Sequence, residues 1–334
     1  MNEPRVVCVI TSINPPTEAM HSWSDLKDLI VVPDQRTPLD AYEGSGIELL
    51  SHQLTHGLDL IRHNHYSRKM IGYLEAVTRN ADLILDTDDD TFLSSTCQVL
   101  DHSLHKQRLL VGKQSPFINL FAFRLGEFNI WPRGFPLDEV RSQNQISIFD
   151  FETTTPVSVV QFFINGDTDV DAVQRLVYGI KDVQFPITST LDIIGRDYFC
   201  PFNSQLTLWN EQSFPLLYLP STVTFRFTDI LRGIVAKRVM DANGLLMGFA
   251  DSIGYQIRNE HDYMLDFKSE VPCYLQTREA WNCLVNLKSR SVEGGLMESY
   301  ERLIKKGICQ EDELELVKLW LTRLNELSVL KVKS

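Results

Sequence analysis

Several common sequence signals are missing from this chain of 334 residues. No run of about 18 uncharged apolar residues occurs, which predicts that the chain has no transmembrane segment. The first residues lack the charged and apolar regions of a signal peptide, which favours a cytoplasmic protein or the excised catalytic domain of a membrane-associated enzyme. The glycine-rich dinucleotide motif, the P-loop, the serine nucleophile elbow and the zinc-protease motif are absent too, which argues against those enzyme classes.

Cysteine and positive charge are also sparse. The six cysteines form no close pair and no zinc-binding spacing, so we expect isolated thiols in a reducing compartment. The net charge of −12 predicts that neither nucleic acid nor an anionic membrane is the main partner. A small anionic ligand stays compatible with this charge, because a metal ion and a few arginines can reverse the field inside one cleft.

Alternating strand and helix patterns run to about residue 265. The apolar spacing predicts a helix over 66–80. Continuous apolar runs rich in β-branched residues predict strands at 5–11, 28–32, 47–50 and 81–86. Strands and a helix of these lengths form a βαβ unit, so we predict an α/β fold with a mainly parallel sheet.

The pattern changes after residue 277. Leucine, glutamate and lysine recur there at helical spacing, which predicts helices over 277–290, 296–306 and 311–330. We therefore expect a catalytic domain over residues 1–268 and a C-terminal helical subdomain over 269–334. The apolar seam of these helices favours an intramolecular cap and leaves a homo-oligomer as the alternative.

A cluster of aspartates follows the predicted strand at 81–86. Alternate residues of an extended chain share a face, so Asp88 and Asp90 converge while Asp89 turns away. Mg²⁺ and Mn²⁺ are commonly held by one or two carboxylates and substrate phosphate oxygens. We therefore predict a Mn²⁺ or Mg²⁺ site at Asp88 and Asp90, with Asp86 orienting its neighbours or contacting a ribose hydroxyl. The alternative is a solvated acidic loop.

Cations are predicted near the same edge. Arg68 and Lys69 fall in the first turn of the helix at 66–80, where positive charge opposes the helix dipole. A bound anion would remove that conflict, and the alternative is that both side chains reach solvent. Arg226 and Arg232 are candidates for bidentate phosphate contacts.

Three further segments are candidates for function. Residues 225–233 resemble a strand turning into a helix, so Asp229 is predicted either as a general base toward an acceptor hydroxyl or as an N-cap. In the loop 165–171, Asp169 or Asp171 is expected to cap the next helix, and the alternative is that this loop contacts the acceptor or the sugar. His261 is a candidate metal ligand, although a lone histidine more often only hydrogen-bonds. The stretch 116–136 is expected to be a long loop.

Short motifs spread over residues 5 to 267 resemble those of the STELLO-type glycosyltransferases. They lie at residues 11–18, 31–38, 64–74, 86–90, 165–171, 202–205, 219–230 and 258–261. The family is similar in turn to the reversibly glycosylated polypeptides, some of which are UDP-arabinose mutases. The resemblance implies a GT-A-like fold, that is, a Rossmann-type sheet with an Asp-x-Asp (DxD) metal motif and a nucleotide-sugar donor.

The resemblance also implies roles for individual residues. Asp88 and Asp90 would hold the metal, with His261 as a late ligand, and Asp229 would lie near the acceptor. The donor would be bound by Thr11, Asp34, Arg68, Lys69, Asp86, Asp89 and Arg226. This chain departs from the family pattern at Thr91 and Thr168, where members tend to have asparagine and proline. We also expect it to differ from the plant proteins in having no membrane anchor.

We therefore expect a metal-dependent glycosyltransferase of polysaccharide biosynthesis, which transfers a sugar from a UDP-sugar to a glycan or glycolipid acceptor. One alternative is a nucleotide-sugar mutase or self-glycosylating protein, which would act on the donor without an acceptor. Another is a non-catalytic scaffold for other glycosyltransferases.

Overall fold

The computed structural model describes residues 4–24, 26, 28–94, 106–142, 145–180 and 182–333. Its strands are β1 (Val6–Ser12), β2 (Leu29–Pro33), β3 (Leu83–Thr87), β4 (Thr91–Leu93), β5 (Lys106–Gly112), β6 (Ile146–Asp150), β7 (Val157–Gly166), β8 (Thr190–Ile194), β9 (Leu206–Asn210) and β10 (Leu246–Gln256). Its helices are α1 (Glu18–Ser22), α2 (Lys69–Thr78), α3 (Leu120–Leu125), α4 (Ala172–Tyr178), α5 (Phe225–Asn243), α6 (Tyr263–Cys283), α7 (Val292–Lys305) and α8 (Glu313–Lys333).

The described strands form one sheet in the order β2-β1-β3-β9-β7-β10-β8-β5-β6, and β4 pairs with β10. Parallel pairing joins β1 to both β2 and β3, β7 to β10, and β5 to β8. Antiparallel pairing joins β9 to its two neighbours, β10 to β8 and β4, and β5 to β6. The predicted α/β class, with Rossmann-type parallel pairing followed by C-terminal helices, is confirmed, and antiparallel strands are inserted beside the parallel ones.

The direction of winding reverses at β1, because β2 lies on one side of it and β3 on the other. In open α/β sheets such a reversal opens a crevice at the carboxyl ends of the strands, where ligands bind. Helix α2 packs closely over this part of the sheet. A Cβ atom on Gly72 of α2 would lie 2.5 Å from side-chain atoms of both Val9 and Val32, so only glycine permits this approach.

Most predicted elements of the first half are confirmed. The strands expected at 5–11, 28–32 and 81–86 are β1, β2 and β3, and the helix expected at 66–80 is a 3-10 turn over Tyr66–Arg68 followed by α2. The strand expected at 47–50 is wrong, because only an isolated bridge between Val31 and Leu49 forms there. The stretch 116–136 contains the short helix α3 as well as loop.

The expected strand-to-helix turn at 225–233 is also wrong. The whole segment belongs to α5, which begins at Phe225 after the N-cap position Thr224. Its apolar side chains Phe227, Ile230 and Leu231 are buried in the core on one side of this long helix. Asp229 therefore lies inside the helix and does not cap it.

The predicted C-terminal helices are confirmed as α6, α7 and α8, but α6 begins at Tyr263 and so crosses the predicted boundary at residue 268. The buried carboxylate of Glu313, at the start of α8, accepts hydrogen bonds from the backbone N–H groups of Ser221 (2.9 Å) and Thr222 (2.8 Å). The C-terminal helices are thereby attached to the loop before α5. The division into two domains stays a prediction. In the described part of the chain no helix is long and apolar enough to cross a bilayer.

The cysteines that the structure describes are all free thiols, namely Cys8, Cys200, Cys273, Cys283 and Cys309. Cys97 lies outside the described residues. Burial raises the pKa of the Cys8 and Cys273 thiols, which keeps them protonated and unreactive.

Candidate functional site

A cavity of about 310 Å³ lies at the carboxyl ends of β1, β2 and β3. Loops that follow β7 and β10, together with the start of α5, form its other wall. The predicted site residues that line it are Thr11, Asp34, Asp88, Asp89, Asp90, Arg226, Asp229 and His261. The predicted donor-binding residues Arg68, Lys69 and Asp86 are buried behind this lining.

The aspartates Asp88, Asp89 and Asp90 form what we call the acidic end of the cavity. Asp89 is held by the loop after β1, because its Oδ2 accepts hydrogen bonds from the Ser12 hydroxyl (2.5 Å) and the Asn14 amide (2.9 Å). These bonds tie the end of β3 to the end of β1. The acidic end is therefore a fixed part of the switch-point crevice.

Buried side chains of alternating charge orient Asp88 on the side that faces away from the cavity. Its Oδ1 accepts hydrogen bonds from the Tyr66 hydroxyl (2.5 Å) and the Lys69 ammonium (3.3 Å). Lys69 also lies 2.6 Å from Asp86, whose other oxygen accepts from Arg232 at 2.8 Å. Asp86 and Lys69 are fully buried and hold Asp88 in place. Their role in binding the donor stays a prediction.

Arg68 is likewise occupied within the protein. Its side chain is buried, with Nε 3.6 Å from Asp34 Oδ1 and 3.5 Å from the carbonyl oxygen of Pro33. Arg68 therefore balances the charge of Asp34 from below, whereas Asp34 itself faces the cavity. The role of Arg68 in binding the donor stays a prediction.

Asp90 is the least satisfied residue of the acidic end. Its Oδ2 accepts a hydrogen bond from the Gln256 amide (3.0 Å), but its Oδ1 is buried without a partner. Burial and the neighbouring charges of Asp88 and Asp89 raise the pKa of Asp90 to about 7. Burial also raises the pKa of Asp88. A divalent cation would satisfy the unpaired oxygen and favour the ionised form of both carboxylates.

The third predicted metal ligand, His261, lines the cavity, but its Nδ1 lies 3.1 Å from Asp266. Among the described residues, no three His, Cys, Asp or Glu side chains form a group that could hold a metal by themselves. The residues therefore fit a cation held by two carboxylates and completed by oxygens of a ligand. The role of His261 stays a prediction.

The opposite wall, which we call the ion-paired end, consists of Arg133, Asp169, Arg226, Asp229 and Glu270. Arg133 donates to both oxygens of Asp229 (3.0 and 2.8 Å) and, through Nε, to both oxygens of Asp169 (3.0 Å each). Burial alone would raise the pKa of Asp169, but the charges of Arg133 and Arg226 outweigh it and hold that pKa well below its usual range. Each charge in this group has a close partner.

Arg226 connects the ion-paired end to the C-terminal helices. Its guanidinium donates to Glu270 Oε1 of α6 at 2.6 and 3.0 Å. The other oxygen of Glu270 accepts from the backbone N–H of Ala172 (2.7 Å), at the start of α4. Arg226 thus lines the cavity with a charge that is already balanced, and α6 supports the cavity wall.

Several lining residues were not among the predicted site residues. Arg133 lies in the stretch expected to be a loop, and nothing in its spacing marks it. Gln256 is the last residue of β10. A polar residue at the carboxyl end of a strand is a signal that the sequence can give. In the loop 165–171, Asp171 caps α4 by accepting from Gln174 N–H (2.9 Å), as expected for one of the two candidates, whereas Asp169 faces the cavity.

Known proteins that are similar to this chain in sequence are glycosyltransferases of one kind by name. Residues 226–332 match the family model described as STELLO glycosyltransferases. The chain is 27% identical over 258 residues to probable glycosyltransferase STELLO1 of Arabidopsis thaliana, covering 70% of this chain and 33% of that protein. It is 27% identical over 203 residues to probable glycosyltransferase STELLO2 of the same plant, covering 55% of this chain and 26% of the relative. The chain spans about a third or less of these curated relatives.

Similar solved structures include a mycobacterial protein with a TM-score of 0.45, 8% identity, and coverage of 84% of this chain and 75% of that one. Another is glucosyl-3-phosphoglycerate synthase from Mycobacterium tuberculosis in complex with uridine diphosphate (UDP), with a TM-score of 0.37, 12% identity, and coverage of 81% and 80%. These scores are too low to support a conclusion. The family model and the curated relatives confirm that this chain is similar to the STELLO glycosyltransferases, as its motifs predict.

Proposed function

We propose that this chain is a metal-dependent glycosyltransferase that binds a nucleotide-sugar donor in the cavity at the ends of β1, β2 and β3. The observation that carries the proposal is the acidic end, where Asp88 and Asp90 face the switch-point crevice and Asp90 keeps an unpaired buried oxygen. The similarity to proteins named as probable glycosyltransferases supports the reaction class.

We assign the nucleoside to the side of the cavity formed by the ends of β1 and β2. Thr11 and Asp34 line that side. In related α/β folds an acidic residue at this place accepts hydrogen bonds from ribose hydroxyls, and Asp34 has the position and the charge for that role. A UDP-sugar is the donor that we propose.

Asp88 and Asp90 would hold a Mn²⁺ or Mg²⁺ ion. When bound, the ion would offset negative charge on the departing diphosphate. Tyr66 and Lys69 fix one oxygen of Asp88, which leaves the other free for the metal. The Oδ1 atom of Asp90 has no competing partner within the described residues.

Asp229 is the proposed general base toward a glycan or glycolipid hydroxyl. Both of its oxygens accept from Arg133, Oδ1 also accepts from the Ile230 N–H (3.0 Å), and Oδ2 accepts from the Ser204 N–H (3.5 Å). The long bond from Ser204 is the one that an acceptor hydroxyl would replace. In the proposed transfer, Asp229 orients the acceptor hydroxyl and takes its proton as the new bond forms.

The direct test measures UDP release from a panel of UDP-sugars by the purified chain, with Mn²⁺ and with a chelator. We expect turnover that requires the metal, and we expect Asp88→Asn combined with Asp90→Asn to abolish it. Asp150→Asn is the matched control, because that aspartate is exposed on β6 and does not line the cavity. Full turnover by the double variant in chelator would overturn the metal assignment.

Product analysis separates the alternative functions. A mutase converts the donor to another ring form without an acceptor, and a self-glycosylating protein gains the mass of the sugar. Thermal stabilisation by a UDP-sugar without any turnover would instead support a non-catalytic scaffold. The glycosyltransferase proposal requires that the sugar appear on an added glycan or glycolipid.

A further inference from the structure

The arginines that line the cavity differ in how their charges are balanced. Arg133 and Arg226 donate to carboxylates of the ion-paired end at 3.0 Å or less. Arg36 is exposed, so water solvates it. Arg258 is different, because its side chain is only 4% exposed and the nearest carboxylates, Asp266 and Asp169, lie at 3.6 and 3.9 Å. Those distances are too long for hydrogen bonds.

The guanidinium of Arg258 is therefore incompletely satisfied. Its Nε is buried without a hydrogen-bond partner in the described structure, and a buried charged group in that state is costly. Burial and the positive charges of Arg226 and Arg175 lower the pKa of Arg258 to about 10. The nearest carboxylates lie too far from Arg258 to accept its hydrogen bonds, and a bound anion would accept them.

Arg258 lies beside the acidic end. The two residues before Arg258 both contact Asp90. The Gln256 side-chain amide donates to Asp90 Oδ2 (3.0 Å), and the Ile257 N–H donates to the backbone oxygen of Asp90 (3.2 Å). Arg258 and Asp90 both line the same cavity. A single ligand can therefore contact a cation held at Asp90 and the guanidinium of Arg258.

We infer that Arg258 binds the diphosphate of the donor, an inference that rests on the proposed function. A divalent ion neutralises only part of the charge on a nucleoside diphosphate, and the planar guanidinium matches the remaining phosphate oxygens in bidentate geometry. During transfer the bond between the sugar C1 and the phosphate oxygen breaks, and its electron pair stays on the diphosphate. The acceptor oxygen bonds to C1 and loses its proton to the general base. Arg258 stabilises the charge that the diphosphate gains.

The chemistry of the other predicted phosphate-binding cations supports this choice. Lys69 and Arg232 pair with Asp86 in the interior, Arg68 lies beside Asp34, and Arg226 pairs with Glu270. Freeing Lys69, Arg232 or Arg226 would break a close ion pair with a buried carboxylate, which is unfavourable. Arg68 lies 3.6 Å from Asp34 and is not part of the cavity lining. Arg258 can bind an anion without breaking a hydrogen bond to a carboxylate.

The test is calorimetric titration with UDP, uridine and inorganic pyrophosphate, each in the presence of Mg²⁺. We expect Arg258→Gln to weaken binding of UDP and pyrophosphate about 10- to 100-fold, the loss typical of hydrogen bonds to charged groups, while the affinity for uridine stays within twofold. Arg258→Lys keeps the positive charge but not the planar donors of the guanidinium, so its loss of affinity should be smaller than that of Arg258→Gln. Arg196→Gln is the control, because Arg196 is exposed and does not line the cavity.

Equal losses for UDP and uridine, or unchanged binding of UDP and pyrophosphate, would overturn the role of Arg258 and leave the proposed function standing. An unmodified chain that binds neither UDP nor pyrophosphate would overturn both. If Arg258→Gln does not fold, the comparison of UDP with uridine in the Arg258→Lys variant decides the question, because a structural defect would weaken both ligands equally.

Discussion

The two ends of the cavity contain the same type of residue in opposite electrostatic states. At the acidic end, burial and like charge raise the pKa of Asp90 to about 7. At the ion-paired end, the charges of Arg133 and Arg226 overcome burial and hold the pKa of Asp169 well below its usual range. At the acidic end Asp90 keeps an unpaired buried oxygen, whereas at the ion-paired end the protein itself balances the charges.

We therefore expect the ion-paired end to contribute mainly to stability and the acidic end to contribute mainly to ligand binding. Removing a partner from the ion-paired end leaves buried charge unpaired, which costs folding free energy. Removing a carboxylate from the acidic end relieves repulsion and desolvation but deletes a ligand contact. Substitutions at the two ends should therefore affect different measurements.

The largest effect is expected from Arg133→Met at the ion-paired end. It leaves Asp169 and Asp229 without their main cation, so the free energy of unfolding should fall by about 3–5 kcal/mol. Urea denaturation followed by circular dichroism measures this loss. Arg196→Met should change stability by no more than about 0.5 kcal/mol, because Arg196 is exposed. A stable Arg133→Met variant would show that the network is not structural.

The next largest effect is expected from Asp90→Asn at the acidic end. Turnover of the nucleotide-sugar should fall about 100- to 1000-fold, because a ligand of the proposed metal is lost where charge develops. The free energy of unfolding should stay constant or rise, since burial already disfavours the Asp90 charge. Asp150→Asn should leave both quantities unchanged. A destabilised Asp90→Asn variant with normal turnover would contradict the expectation that Asp90 serves binding and not stability.

The ionisation of Asp90 makes the stability of the fold depend on pH. An unfolded aspartate loses its proton near pH 4, whereas Asp90 in the fold keeps it up to about pH 7. Between these values the folded state binds more protons, so Asp90 lowers stability as the pH rises through that window in the absence of metal.

Metal binding should show the opposite trend, because it needs the carboxylate. Below pH 7 the affinity for Mn²⁺ should fall by up to about tenfold per pH unit. Titrations between pH 5.5 and 8, read by Mn²⁺ electron paramagnetic resonance, measure this slope. Asp90→Asn should flatten it, and a flat profile in the unmodified chain would contradict the assignment.

The smallest effect is expected from Tyr66→Phe, which removes one of the two hydrogen bonds that orient Asp88. Loss of a single hydrogen bond costs about 1 kcal/mol, so the affinity for Mn²⁺ should fall about fivefold. Tyr178→Phe is the control, because Tyr178 is half exposed and lies outside the cavity lining. An unchanged affinity would mean that Lys69 alone orients Asp88.

The acidic end was predictable from the sequence, and the ion-paired end was not. The apolar residues Leu83, Ile84 and Leu85 indicate a buried strand, and the carboxylates that follow must lie at its end. By contrast, the contact of Arg133 with Asp229 joins residues 96 positions apart, and no local pattern encodes such a pair.

Local patterns also misled where tertiary packing decides the structure. The alternation of Phe225, Arg226 and Phe227 is typical of a strand, yet these residues begin α5, because the helix as a whole buries one face against the core. The positive charge of Lys69 conflicts with the dipole at the start of its helix, and its role in binding the donor stays a prediction. Asp86 and Asp88 resolve that conflict from within the protein.

The contacts of Glu270 and Glu313 have a consequence for how this protein can be divided. A shorter gene that stops at codon 268 would omit the carboxylate that pairs with Arg226 and the one that holds the loop before α5. We expect its product to be insoluble or rapidly degraded. The helical tail and the cavity wall therefore cannot be exchanged as separate modules, and swaps with related chains should join upstream of α5.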